Sequence, residues 1–237
     1  MHRNATRNAP RRSKAVTLAC TAVALPVLLV AGCSSDSDDG EKKESPSASA
    51  SSSKPTVAPA KYKKLPDSCD ALSKDTVKDL VPGTKNEAGK RVGSGDLNDA
   101  GSCLWSGLDK YDYRQLTVSL KRFDSDESLG AGDKRAGEYM KQQLTDTTGN
   151  KENKKPKESK VSGVGDEAIS IAYETEKKDS KDKSEEYNAH RLVARTANVV
   201  VTVDYEGTGF ESGKKPSADD LKKNAEKAAK QAVSKIK

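Results

Sequence analysis

The sequence predicts an α+β fold: a single antiparallel sheet with helices packed on one face and one disulfide. Three observations carry that expectation. Residues 113–123 alternate apolar Leu116, Val118 and Leu120 with polar Gln115, Thr117, Ser119 and Lys121, the period of two of a strand with one wet face. Residues 217–236 place Leu221, Ala225, Ala228, Ala229, Ala232, Val233 and Ile236 at helical spacing, a buried stripe on an otherwise charged helix. The order strand, strand, helix recurs in both halves, which suggests one sheet with helices laid against it.

Taken from the N-terminus, a basic stretch from Met1 to Lys14 leads into the apolar run Ala15–Val30, and Val30-Ala31-Gly32-Cys33 follows. Aliphatic, small, small, cysteine is the pattern at which bacteria attach a diacylglyceryl group to the thiol and cleave before it, small residues being needed in the narrow peptidase site. Residues 1–32 therefore read as a lipoprotein signal peptide and Cys33 as the lipid-bearing residue. The competing reading is an uncleaved membrane helix; Pro26 and the small residues before Cys33 oppose it. Two acyl chains anchor a protein stably, at about 0.8 kcal/mol for each buried methylene. Residues 33–60 are a Ser-, Pro- and Ala-rich tether that cannot bury enough surface to offset the entropy of ordering it. Asp36, Asp38, Asp39 and Gly40 lack the ligand alternation of a calcium loop.

The folded domain is expected over residues 61–237. Ser73 caps a helix over Lys74 to Val81, stopped by Pro82-Gly83. A loop rich in Gly and Asp reaches Gly101, Cys103-Leu104-Trp105 forms a short strand, and Gly107 to Asp112 a turn. After the 113–123 strand a helix is expected from Ser125 to Leu144, carrying Ala136, Met140 and Leu144 at four-residue steps, then a lysine-rich polar loop from Thr145 to Lys160. A strand through Ile169, Ile171 and Tyr173 follows. Two more, His190–Arg195 and Val199–Tyr205, turn around Thr196-Ala197-Asn198, where Asn198 suits the positive φ of a tight turn. Ser217 caps the last helix, with Asp219 and Asp220 in its first turn, where the helix dipole favours acids.

Of the four cysteines, Cys20 leaves with the signal and Cys33 takes the lipid. Cys69 and Cys103 remain, in an oxidising compartment, and a disulfide between them is expected. A metal or redox pair would need a different spacing and further ligands.

Charge excludes one class of function. The chain carries +6 at pH 7, but residues 1–32 contain Arg3, Arg7, Arg11, Arg12 and Lys14 and no acid, so the mature chain is left near +1. Nucleic-acid binding, which depends on many uncompensated phosphate contacts, loses its support.

These features together resemble a group of actinobacterial cell-envelope lipoproteins of unknown function. The likeness rests on the lipobox and tether, Cys69 with Ala71-Leu72, Cys103-x-Trp105, Gly163-Val164-Gly165-Asp166-Glu167-Ala168, and Val193–Val201. It covers about residues 65–236. The chain is also distantly similar to the extracellular sensor domains of mycobacterial receptor kinases. Ala197 stands where glycine is usual in the group. The resemblance implies an architecture and an extracytoplasmic location and supplies no chemistry.

A search for chemistry yields little. No nucleophile elbow, phosphate loop, dinucleotide fingerprint or zincin helix occurs, and Gly93-Ser94-Gly95-Asp96 reads as a plain loop. His190, the one histidine of the mature chain, reads as a structural or surface residue rather than a catalytic base. Asp166 and Glu167 are charged neighbours at a strand entry. Trp105 is expected in the core against the cysteine bridge, or else lining a pocket. Lys151, Lys154, Lys155, Lys157 and Lys160 read as a solvated loop, with an anionic envelope polymer or lipid headgroup as the sharper alternative. The expectation is a non-enzymatic ligand-binding or sensor-accessory module, with no cofactor or metal, held on the outer face of the cell membrane. A protein partner in an envelope complex and a hydrolase using carboxylates alone are the alternatives.

Overall fold

The structure, a computed structural model, describes residues 57–93, 96–178 and 183–237. The signal peptide expected over 1–32, Cys33 and the tether as far as residue 56 lie outside the described residues. No helix among those described is long and apolar enough to cross a membrane.

Among the described residues the elements run α1 (Lys74–Leu80), β1 (Lys90–Val92), β2 (Ala100–Asp109), β3 (Asp112–Arg122), α2 (Gly132–Gly149), β4 (Lys154–Lys160), β5 (Glu167–Lys178), β6 (Ser184–Thr196), β7 (Val199–Gly209) and α3 (Ala218–Ser234). The strands form one seven-stranded sheet in the order β1-β2-β3-β7-β6-β5-β4, with every neighbouring pair antiparallel. Each half is thus a meander ending in a helix, and the last strands of the halves, β3 and β7, pair at the centre. The α+β class, the single antiparallel sheet and the Cys69–Cys103 disulfide are as the sequence predicts.

The helices divide between the two faces. Val77 and Leu80 of α1 and Leu221, Ala225, Ala228, Ala229 and Ala232 of α3 pack on Leu116, Val118, Leu192, Val201, Val203 and Tyr205. Ala136, Met140 and Leu144 of α2 pack on Ile171, Val193 and Val200, which point the other way from the same strands. α2 therefore covers the face that the sequence reading left bare.

The other differences have local causes. α2 begins at Gly132, not Ser125, because Asp126 Oδ1 accepts hydrogen bonds from the amides of Ser128 (2.8 Å) and Leu129 (2.9 Å) and holds 126–129 in a turn. It runs beyond Leu144 to Gly149, so the expected loop over 145–160 is the end of a helix followed by strand β4. β2 continues through the expected turn to Asp109, leaving only Lys110 (φ +56°) and Tyr111 to reverse the chain. The short β1 lies inside the segment read as loop. Both predicted caps are present, with the Ser73 and Ser217 hydroxyls accepting from the Thr76 and Asp220 amides at 3.2 and 3.1 Å.

Candidate functional site

Seven strands about 4.8 Å apart span roughly 29 Å, whereas one helix is about 10 Å wide. α1 and α3 together cover one face, but α2 alone rests on the other, against β5, β6 and β7. The half over β1, β2 and β3 stays uncovered. Its strand residues are mostly polar, among them Ser102, Ser106, Gln115, Thr117, Ser119 and Lys121, as an open face requires.

That half is hollow. A trough of about 440 Å³ lies between α2 and the β1 edge. Its floor is a row of hydroxyls set by strand register, with Ser102 opposite Ser119 and Ser119 opposite Thr202. The Ser102 hydroxyl donates to that of Ser119 at 2.7 Å. Thr202 is only 6% exposed, yet no described residue hydrogen-bonds its hydroxyl. Tyr139 and Gln143 of α2 form one wall, with Val92 and Arg91 opposite.

Charge is concentrated at the rim. Arg191 donates from Nε to Asp204 Oδ1 at 2.5 Å and from Nη1 to the Thr147 hydroxyl at 3.0 Å, tying β6, β7 and α2 together. Burial opposes its charge, but the Asp204 carboxylate outweighs burial and holds the guanidinium above its ordinary value. Beside this pair the Tyr173 phenol is pushed up to about 12 by burial and, secondarily, by Asp204. Arg91 pairs with Asp67. Lys121 lies 5.8 Å from the Phe123 ring centroid and has no carboxylate partner among the described residues.

The residues singled out from sequence fall elsewhere. Trp105 is 1% exposed in the core beneath α1, and its indole nitrogen donates to Glu87 O at 3.0 Å. It packs beside the bridge, where a Cβ on Gly89 would lie 2.4 Å from Cys103 Sγ and 2.6 Å from the indole nitrogen, so only glycine fits. Trp105 thus sits in the core and is not among the residues that line the trough. His190 is structural: buried under α3, it has no hydrogen bond to either ring nitrogen, and burial followed by the charge of Lys222 pushes it down to about 4. Asp166 and Glu167 are exposed and flank Arg195 at 3.7 and 3.8 Å, and Asp166 also accepts from the Ala197 amide at 2.6 Å. The lysines of 154–160 sit on the outer edge strand β4, where Lys154 and Lys155 pair with Glu176 and Glu174. No group of three or more His, Cys, Asp or Glu side chains suited to a metal occurs among the described residues.

The trough residues were missed because Ser102, Ser119 and Thr202 are ordinary wet-face residues until the register aligns them. Arg191 and Asp204 are 13 positions apart in sequence and meet only through the β6–β7 hairpin.

The molecule is thus an α+β domain whose sheet is closed on one face and open as a walled, hydroxyl-floored trough on the other. The chain belongs to the family described as a protein of unknown function (DUF3558), whose model matches residues 28–235. No curated protein and no solved structure matches it.

Proposed function

We propose that this chain is a membrane-anchored extracytoplasmic lipoprotein whose domain is a non-enzymatic binding or sensor-accessory module, with the trough as its ligand site. The observation that carries the site is the Thr202 hydroxyl, open to the trough and without a hydrogen-bond partner among the described residues. A ligand that displaces water from this hydroxyl must supply an equivalent hydrogen bond, which favours ligands with polar groups of their own. The volume falls in the range of small-molecule sites.

Binding is preferred to catalysis on the arrangement of groups. Ser102 and Ser119 bond to each other rather than to a base, and His190 lies on the opposite face of β6. The anchor rests on Val30-Ala31-Gly32-Cys33, which the family match beginning at residue 28 includes. The disulfide agrees with folding outside the reducing cytoplasm. The likeness to actinobacterial envelope lipoproteins and to receptor-kinase sensor domains belongs to this same proposal.

Expression in a host with a lipoprotein-processing pathway tests the anchor. The wild-type chain should take up labelled palmitate and lose residues 1–32, while Cys33→Ser should do neither. A wild-type chain that takes up no label, or a Cys33→Ser variant that still does, would refute the lipid anchor at Cys33.

A further inference from the structure

We infer that the trough recognises an anionic sugar, a sugar ring bearing a carboxylate or a phosphate; this rests on the reading of the trough as a ligand site.

The floor presents polar groups suited to a polyol. Ser102, Ser119 and Thr202 stand in register across three adjacent strands, and side chains in such rows lie about 5 Å apart, comparable to the breadth of a pyranose ring. Each hydroxyl both donates and accepts, as does the Gln143 amide on the α2 wall, so the surface matches a ligand whose own groups do both. At the end of the hydroxyl row, opposite Ser102, stands the apolar side chain of Val92. It can meet the C–H face of a ring.

Charge selects among sugars. The lining includes Arg91, Lys121 and Arg191 but only one carboxylate, Asp204. Asp204 is engaged by Arg191, and Arg91 is met from outside the lining by Asp67. Lys121 lies over the Phe123 ring and has no carboxylate partner among the described residues. A neutral sugar would leave it facing only that ring, whereas a carboxylate or phosphate would pair with it in a concave site where charges are screened less than on an open surface.

Isothermal titration of the lipidated chain in detergent, with glucuronate, glucose 6-phosphate and glucose as probes, tests the assignment. Glucuronate or glucose 6-phosphate should bind at least tenfold more tightly than glucose, and the better of the two identifies the acidic group. Lys121→Gln should remove about a tenfold preference, the scale of one charge-assisted hydrogen bond. Thr202→Val, which keeps the side-chain shape, should weaken all bound sugars alike, with an unchanged melting temperature showing that the fold is intact. Equal binding of glucose and the acidic sugars, or no effect of Lys121→Gln, would overturn the anionic assignment and leave the trough a ligand site. If none of the three sugars binds while water-soluble envelope extract still perturbs trough residues, the sugar assignment falls alone. If the extract perturbs nothing either, both readings fall.

Discussion

At Ala197 the backbone takes φ +47°, a left-handed conformation that a Cβ disfavours by roughly 1–2 kcal/mol. The strain sits in the two-residue turn between β6 and β7, whose geometry is held by Asp166 on the Ala197 amide and by Asn198 beside it. Ala197→Gly should therefore stabilise the domain by about 0.5–1 kcal/mol, after allowing for the greater unfolded freedom of glycine, as read by urea unfolding. A destabilised glycine variant would show that the turn carries no strain. His190 permits a second test at this scale. Its folded pKa lies near 4 against an ordinary 6.5, so as the pH falls through that interval the unfolded chain takes up a proton that the folded chain refuses. Stability contributed by the neutral buried ring is complete above about 6.5 and is lost toward pH 4, by roughly 3 kcal/mol. Denaturant melts of wild type and His190→Leu at pH 7 and pH 4.5 should differ in slope with pH, the variant being flatter. Parallel pH profiles would contradict this account of His190.

Among the elements, the hairpin at 196–199 explains how the N-terminal segment is held. Asn198 is fully buried; its Oδ1 accepts from the Tyr62 amide at 2.8 Å, and its Nδ2 donates to the carbonyls of Tyr62 and Phe123, both at 2.9 Å. The side chain expected to serve a turn conformation instead straps residues 57–65 onto the sheet end. Asn198→Ala should cost roughly 2–4 kcal/mol and expose Lys61, Lys63 and Lys64 to trypsin at low enzyme ratio. Unchanged cleavage would mean that the strap is held by other contacts. How much could be read from the sequence follows from the same physics. β3, α1, α3 and the β6–β7 hairpin announce themselves because one face of each is apolar or because a cap side chain is present. β4 could not be read, because none of its residues is buried: Lys-Lys-Pro-Lys-Glu-Ser-Lys pairs with β5 through the backbone and through polar side chains, with no apolar face to mark it. The second covered face did leave a signal. Val199, Val200, Val201 and Val203 form a nearly unbroken apolar run, the mark of a strand buried on both sides, where β3 merely alternates. The trough was not legible, since it exists only as the shortfall between one helix and seven strands.

As a whole molecule, the domain offsets a chain with only 4% aromatic residues by covalent and edge devices. The Cys69–Cys103 bridge joins the segment before α1 to β2 across 34 positions, worth about 3–4 kcal/mol in the chain-entropy model. One sheet edge is β4, whose lysines, Pro156 and register irregularity between Lys154 and Lys157 blunt strand addition. The other is the three-residue β1, with Thr84 bridging Gly107 further along β2. Both edges are thereby poorly suited to recruiting another strand, which leaves the open sheet face as the surface on which recognition is concentrated. Amide chemical-shift mapping of the isotope-labelled protein during titration with water-soluble envelope extract addresses this claim directly. The account predicts shifts confined to the trough, at Ser102, Ser119, Gln143 and Thr202; shifts clustered on β4 or α3 instead, or none anywhere, would contradict it.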